Sequence, residues 1–176
     1  VVQTESCTLI VVARAPSSAN PIWRHLVSNF GRDNGTGGLK WGASLAFKLD
    51  AADVRLTLGL LATAAGGAAS STGAVAPAAL GSLSFSAARV DAVARTASID
   101  NKTTGVARSA TYANTYKPEL NGEFYIGSAA GLRADTAGVD VEVMFAAIYS
   151  RALSDAELAA VYQSVKIFYA ARGLTI

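Results

Sequence analysis

A segment near the C-terminus constrains the fold more than any other, because a β-rich apolar run is followed within a few residues by a complete signal for the start of a helix. Ser154 stands at the N-cap position and Glu157 follows at the third helical position, which is the spacing of a capping box. Leu153 and Leu158 flank this cap with the spacing of a hydrophobic staple. The sequence therefore predicts one long helix over about 154–172, entered directly from a strand.

Apolar residues recur along this predicted helix at intervals of three and four residues, so one face is expected to pack against the rest of the protein. Arg172 followed by Gly173 supplies a stop signal. At 1.5 Å per residue the helix would be ~27 Å long, enough to span one side of a small domain. The predicted packing stripe consists of Leu158, Val161, Tyr162, Val165, Phe168 and Tyr169.

Upstream of the helix, short apolar or alternating segments are separated by turn residues, which is typical of β-strands. Cys7 alternates with Leu9 and Val11, and we expect it to fill core space as a small hydrophobic residue. The Ala-, Gly- and Ser-rich segment 63–82 is predicted to be mostly loop, because Gly and Ala weaken strands and Pro77 lacks a ladder donor. Strands are predicted at 6–14, within 22–30, and at 39–49, 54–61, 83–91, 94–99, 104–110, 124–127 and 139–149.

Many short strands with a single long helix predict an all-β fold, a two-sheet antiparallel β-sandwich or jelly roll with one C-terminal helix. A chain of 176 residues that is 51% hydrophobic is expected to form a single domain over 1–176. Its 15 basic and 13 acidic residues are scattered, so neither nucleic acid nor an anionic membrane is an expected partner. We expect neither a transmembrane helix nor a signal peptide.

The sequence offers little for catalysis, and we expect a non-enzymatic protein. His25 has no acidic or nucleophilic neighbour in sequence and is interpreted as a surface or interface histidine. One Cys and one His do not make a zinc site from protein ligands alone. Asp140 and Glu142 alternate on a strand, and ~6.7 Å between alternate Cα atoms suits the carboxyl pair of a glycosidase. The solvent face of a half-buried strand is the favoured explanation of this pair.

Three C-terminal segments resemble those of a known family. Phe124-Tyr-Ile-Gly127, a strand ending in Ile148-Tyr149, and Ser150-Arg-Ala-Leu-Ser-Asp-Ala-Glu157 resemble the C-terminal part of concanavalin A-like lectin/glucanase domains of the laminin-G-like type. The family's hairpin motif matches Ser98-Ile-Asp-Asn-Lys102 without its Gly. Where family members often carry a Glu, this chain has Phe145, so its strand is expected to be more buried than usual or covered by another subunit.

The resemblance implies a two-sheet jelly roll, a fold that hosts glycan-binding modules, adhesion modules and some glycosidases. Calcium is the usual metal of lectin-like jelly rolls, held by loop carboxylates and carbonyls. The loop candidates here are Asp33-Asn34-Gly35, Asp100-Asn101 and Asp135. Ordinary turn chemistry explains each of them, so we expect no metal site and no cofactor, with calcium as the less favoured alternative.

Aromatic side chains are the candidates for sugar stacking, because sugar sites usually combine an aromatic platform with planar polar groups. Tyr112 and Tyr116 lie in a loop-like stretch, although stacking on a neighbouring subunit fits them equally well. Trp41 alternates with core positions, which favours packing. No catalytic residue is assigned.

Composition favours an assembly function. Only 16% of the residues are charged and mean hydropathy is +0.32, so the surface suits close packing against neighbours. We therefore predict a structural or adhesion module, homo-oligomeric, of the kind found in bacteriophage virions (tail, baseplate or capsid decoration) or on cell surfaces, with contact to host polysaccharide left open. The alternative is a free-standing, lectin-like glycan-binding module in an extracellular or cell-surface setting.

Overall fold

The computed structural model describes residues 4–15, 23–29, 42–48, 53–62, 68–77, 80–113, 116–118, 120, 123–127 and 141–176, with the backbone alone at 23, 48, 53–62, 68–77 and 116–118. The predicted all-β fold with one C-terminal helix is confirmed. The elements are β1 Cys7–Arg14, β2 Trp23–Ser28, β3 Ala43–Lys48, β4 Asp53–Ala62, β5 Ala68–Pro77, β6 Leu83–Asp91, β7 Thr96–Asn101, β8 Val106–Thr111, β9 Tyr116–Pro118, β10 Tyr125–Ile126, β11 Glu142–Tyr149 and α1 Asp155–Ala170.

The strands form a two-sheet antiparallel jelly roll. One sheet has five strands in the order β11-β1-β6-β7-β8. The other has six, in the order β10-β2-β3-β4-β5, with β9 paired to the end of β4. Because Leu60 of β4 pairs with both Ala69 of β5 and Pro118 of β9, β9 must lie on the β3 side of β4. All of these pairings are antiparallel, as is typical of such sandwiches.

Strand β1 is buried on both faces, because its alternate residues serve two separate core layers. Cys7, Leu9 and Val11 lie in the layer between the sheets. Ile10 and Val12 lie in a second layer between the five-stranded sheet and α1. The core position predicted for Cys7 is confirmed, and burial raises the pKa of its thiol to about 12, so the thiol is inert in the folded protein.

The predicted capping box is present at the start of α1. The Glu157 N–H donates to Ser154 Oγ over 3.3 Å, and the Ser154 N–H donates to Glu157 Oε2 over 2.9 Å. Leu153 and Leu158 are both buried in the helix-side layer, which fits the predicted staple. The helix ends at Ala170, two residues before the predicted end, because the N–H groups of Arg172 and Gly173 bond three rather than four residues back, to the Tyr169 and Ala170 carbonyls, and Gly173 then adopts φ 74°.

Most of the predicted helix stripe is confirmed. Leu158, Val165 and Tyr169 are buried, and Val161 and Tyr162 are partly buried in the same layer. The prediction that Phe168 belongs to this stripe is wrong, because half of the residue's surface is exposed. At ~100° per residue its side chain points well away from the stripe centred on Leu158, Val165 and Tyr169.

The strand around Phe145 is covered by the protein's own helix, since Phe145 packs against the helix-side layer. This is the physical reason why an apolar residue stands there. No helix in the described part of the chain is both long and apolar enough to cross a membrane.

The loop predicted over 63–82 is wrong, because it contains β5, Ala68–Pro77. Strand β5 pairs with β4 from Asp53↔Pro77 to Leu61↔Ala68, and a backbone ladder of this length does not depend on strand-forming side chains. Pro77 is the last residue of the strand, where a missing N–H costs least. Asp100 and Asn101, predicted as a turn, lie in β7 instead.

Candidate functional site

The two sheets differ in what lies against their outer faces. Helix α1 packs on the outer face of the five-stranded sheet through the layer that contains Leu158, Val165 and Tyr169. In the six-stranded sheet, Leu45 and Phe47 of β3 face the interior, so the alternate residues Ser44 and Ala46 lie on its outer face. This outer face is the candidate site.

A β-bulge in β2 determines which side chains reach this face. The register shifts between His25 and Val27, so that Leu26 is the extra residue, and both Leu26 and Val27 are buried in the core between the sheets. His25 pairs with Ala46 and Ser28 pairs with Ser44. Since paired residues share a face, the bulge brings His25 and Ser28 onto the same outer face although they are three positions apart.

His25 is buried within the chain itself, so the prediction of a surface or interface histidine is wrong. Only 6% of His25 is exposed, and its Nδ1 lies 2.6 Å from the hydroxyl Oγ of Ser44, itself buried. The hydrogen bond holds the imidazole ring in one orientation, because a buried polar group is costly without a partner. The two residues are 19 positions apart in sequence, so this pair has no local sequence signal.

Asn29 fixes the end of the β2–β3 pair beside this histidine. Its backbone N–H donates to the Ala43 carbonyl over 3.2 Å, and its side-chain Oδ1 accepts from the Ala43 N–H over 2.9 Å. Gly42 is required by this contact, because a Cβ there would lie 2.0 Å from Asn29 Oδ1. These two hydrogen bonds between Asn29 and Ala43 hold the neighbouring residues Ser28 and Ser44 on the outer face.

Cross-strand pairing extends a row of mostly small residues over this face. Tyr125 of β10 pairs with Ser28, and Ser44 pairs with Thr57, which in turn pairs with Gly73. Ser28 and Ser44 are buried, whereas Tyr125 at the margin is 42% exposed. Among the side chains that the structure describes, Tyr125 is therefore the accessible aromatic group of this row.

The two sheets also differ in the balance of charged residues on their strands. The five-stranded sheet is balanced, and two of its ion pairs are Arg14–Glu142 and Arg89–Asp100, each at 2.9 Å. In the six-stranded sheet, four strand residues are cationic and one is anionic. They are Arg24, Lys48, Arg55 and Lys117 against Asp53.

The predicted stacking residues do not assemble on this face within the described part of the chain. Tyr112 is 8% exposed, packs into the core between the sheets and donates its hydroxyl to the Asp91 carbonyl over 3.3 Å. Burial, followed by the negative charges of Asp91 and Glu5, raises the pKa of Tyr112. Its ring thus offers little surface to a sugar. The Tyr116 side chain and Trp41 lie outside the described residues.

The predicted acidic sites are only partly described. Glu142 is exposed and accepts from Arg14 Nε over 2.9 Å, whereas Asp140 lies outside the described residues, so their pairing stays a prediction. Asp100 already holds two cations, Arg89 at 2.9 Å and Lys102 at 3.0 Å.

Asn101 has a structural role, because its Oδ1 accepts the Thr104 N–H over 3.1 Å. The loop candidates for calcium at 33–35 and at Asp135 lie outside the described residues. Within the ranges that the structure describes, no group of three or more His, Cys, Asp or Glu side chains is placed to hold a metal ion.

Sequence reasoning missed Tyr125 as a candidate. The signal was present, because Phe124 and Tyr125 are successive residues that must point to opposite faces of a strand. Phe124 packs against the core between the sheets, and Tyr125 is left outside.

No protein-family model matches the chain, and no curated protein matches it. Solved structures do match. The CBM40 carbohydrate-binding domain of the Ruminococcus gnavus IT-sialidase, solved bound to α2,6-sialyllactose, is 16% identical with a TM-score of 0.60, over 90% of this chain and 84% of that chain. The same domain bound to α2,3-sialyllactose is 17% identical with a TM-score of 0.61, over 90% and 83%.

Whole sialidases match as well. The NanB sialidase of Streptococcus pneumoniae is 15% identical with a TM-score of 0.59, over 90% of this chain but 24% of that chain. This chain therefore spans about a quarter of that enzyme. At these identities the likeness shows the fold, a lectin-like jelly-roll β-sandwich of the kind found in sialidase-associated carbohydrate-binding domains.

Proposed function

We propose that this chain is a non-catalytic, lectin-like glycan-binding module that acts in an extracellular or cell-surface setting on acidic, sialic acid-containing glycans. The observation that carries the proposal is the match over 90% of this chain and 84% of a carbohydrate-binding domain whose structure holds sialyllactose. The match takes in nearly the whole of both chains, so it favours a binding module over a catalytic one. It supports the lectin-like alternative ahead of the virion function.

The charge of the six-stranded sheet supports an acidic ligand. Sialic acid carries a carboxylate at neutral pH. Arg24 pairs with the inward-facing Phe47, and the other charged strand residues of this sheet are three cations against one anion. A surplus of cations attracts an anionic ligand and provides charge-assisted hydrogen bonds. Arg55 is the best placed of them by register, because its strand partner is Ala46, which also pairs with His25.

Tyr125 supports a sugar site at the margin of the same face. Its ring is exposed and lies in the row that continues through Ser28 and Ser44. An aromatic ring with one apolar face and a polar hydroxyl suits stacking against a sugar ring. We therefore place the glycan across the β10 margin of the six-stranded sheet.

The direct test measures binding of α2,3- and α2,6-sialyllactose by isothermal titration calorimetry, with lactose as the neutral comparison. Tyr125→Ala should weaken sialyllactose binding about three- to tenfold, the range expected for losing one aromatic contact. Phe168→Ala is the matched control, since Phe168 is an equally exposed aromatic on the helix side. No binding by the wild-type chain to any sialylated glycan on an array would overturn the proposal.

A second test separates acidic from neutral recognition. Arg55→Gln should weaken sialyllactose binding and leave any lactose binding unchanged, whereas Arg108→Gln on exposed β8 should change neither. Binding should also weaken as salt is raised, because ion pairing at an accessible site is screened. Equal affinity for lactose and sialyllactose would leave a glycan-binding module but remove the acidic specificity.

The virion assembly function remains a hypothesis carried by the low charge content of 16%, and the comparisons lend it no support. The laminin-G-like relationship and the single domain over 1–176 also remain hypotheses. A glycosidase that uses Asp140 and Glu142 is the enzymatic alternative. New reducing ends released from polysaccharide by the wild-type chain, and lost in Glu142→Gln, would favour it.

A further inference from the structure

In the described part of the chain, the two sheets end in four edge strands, β11 and β8 of the five-stranded sheet and β10 and β5 of the six-stranded sheet. An open edge presents unpaired backbone N–H and C=O groups to which another strand can add, and proteins usually protect it. A bulge interrupts β11 at Met144, whose carbonyl accepts the Tyr169 hydroxyl over 2.9 Å. Strand β5 has a bulge at Ser70 and ends at Pro77, and β10 has only two residues.

Strand β8, Val106–Thr111, has none of these protections among the residues that the structure describes. It pairs with β7 over its whole length without a register shift, and it contains no proline. Four of its six residues are exposed, and Arg108 is its one charged residue. Strand β8 is therefore the edge at which a further strand could add most easily.

The hydrogen bonds show which backbone groups of β8 face outward. The Tyr112 N–H donates to the Arg95 carbonyl over 3.1 Å, so the backbone groups of Tyr112 face the β7 side. Successive residues of a strand direct their N–H and C=O groups to opposite sides. The outward-facing backbone groups are therefore those of Ala107, Ser109 and Thr111.

We propose that Arg108 guards this edge and prevents two copies of the chain from pairing β8 against β8. The Arg108 Nη1 donates to the outward-facing Ala107 carbonyl over 2.8 Å. The guanidinium thus occupies a backbone acceptor that an added strand would need. A strand can pair there only after this charge-assisted hydrogen bond is broken.

A second copy fits this edge in its backbone geometry but not in its charge. In an antiparallel pair with Ser109 of one copy opposite Ser109 of the other, Ala107 lies opposite Thr111, and the outward-facing residues form hydrogen-bonded pairs. The side chains at these three positions are small, so none obstructs the pairing. The two Arg108 side chains then lie diagonally opposite on one face, where like charges repel. Arg108 thus opposes the pairing that the rest of β8 permits.

Sedimentation equilibrium from about 10 μM to 1 mM tests the guard, a range set by the small area of a single-strand contact. Arg108→Thr should self-associate at least about tenfold more strongly than wild type, because it loses both the bond to Ala107 and the like-charge repulsion. Arg172→Thr is the matched control and should behave as wild type. The Arg172 Nη1 also donates to a backbone carbonyl over 2.8 Å, that of Phe168, but on α1 rather than at a sheet edge.

Two further variants place the association on β8. Ser109→Pro, added to Arg108→Thr, removes an outward N–H and no bond to β7, so self-association should return to the wild-type level. A short bismaleimide should crosslink Ser109→Cys in the Arg108→Thr background and leave Ser109→Cys alone monomeric, since Cys7 is buried and unreactive. Circular dichroism establishes that each variant is folded.

Self-association of Arg108→Thr no stronger than that of wild type would overturn the proposal. Association that persists in the proline variant, or crosslinking through Ser109→Cys that is equal with and without Arg108, would overturn it as well.

Discussion

The two sheets of this sandwich differ in what lies against them and in the groups that they carry. The five-stranded sheet is enclosed on both faces, by the other sheet and by α1, and its strand charges are balanced. The six-stranded sheet shares the first of these layers, its outer face carries a buried His25–Ser44 pair and an accessible Tyr125, and its strand residues include more cations than anions. The contrast shows that one sandwich can bury the outer faces of its two sheets differently, one against the apolar side of a helix and the other with polar groups in a hydrogen-bonded pair.

The joint between α1 and the five-stranded sheet is reinforced by polar contacts at the helix start. Arg89 of β6 donates to Asp100 over 2.9 Å, to Asp155 over 2.6 Å and to the Leu153 carbonyl over 3.1 Å. Arg89 therefore links β7 to the first turn of the helix. Its direct hydrogen bond to the Asp155 carboxylate, followed by its charge, lowers the pKa of Asp155.

If packing of the five-stranded sheet against α1 supplies most of the stability, then a charge placed in the layer between them should lower the free energy of unfolding more than any other change proposed here. Leu158 is 0% exposed, and Leu158→Asp should lower the free energy of unfolding by about 4 kcal/mol or abolish folding. Urea denaturation measures this loss. Ala159→Asp, on the exposed side of the same helix turn, is the control and should change stability by less than about 1 kcal/mol.

Gly42→Ala should destabilise the six-stranded sheet at the end of the β2–β3 pair. The added Cβ would lie 2.0 Å from Asn29 Oδ1, so the hydrogen bond that the Ala43 N–H donates to this oxygen must be displaced. We expect a loss of about 2 kcal/mol together with a loss of glycan affinity, because the β2–β3 end beside Ser28 and Ser44 shifts. If calorimetry showed unchanged glycan affinity, the glycan site would not depend on the hydrogen bonds between Asn29 and Ala43.

Thr8→Val, in contrast to Gly42→Ala, should lower stability without changing glycan affinity. Thr8 Oγ1 accepts the Leu153 N–H over 2.9 Å and donates to the Arg151 carbonyl over 2.8 Å, which pins the segment before α1 to β1. The variant leaves a buried N–H without an acceptor at a cost of about 1–3 kcal/mol. Glycan affinity should stay at the wild-type value. Thr111→Val, at an exposed position at the end of β8, is the control.

The smallest expected effect concerns Glu157, whose titration should make the stability of the protein depend on pH in the acid range. The side-chain bond from Arg151, followed by those from Ser154, lowers the pKa of Glu157 from 4.5 to about 2. Because the folded pKa lies below the unfolded one, this stability is present above pH 4.5 and is lost as pH falls towards 2. Melting curves should show Glu157→Gln less sensitive than wild type between these pH values. Equal slopes would contradict the assignment.

The sequence alone determined what depends on neighbouring residues. The capping box at Ser154 and Glu157 was identifiable because both partners lie in one turn. The alternation of Cys7, Leu9 and Val11 identified β1, since period-two burial is a local property of a strand. Together with the count of strands these signals gave the fold class, but of the candidate site they gave only the strands that carry it.

Tertiary structure decided the rest, because the deciding contacts join residues distant in sequence. Strand β5 forms along β4 although Ala and Gly disfavour it, since the ladder is a backbone interaction. His25 became a buried residue through the β2 bulge and its bond to Ser44, neither of which has a local signature. Tyr112 turned inward and Tyr125 outward for the same reason: burial is set by which surfaces the two sheets bring together, and single-residue patterns do not encode that pairing.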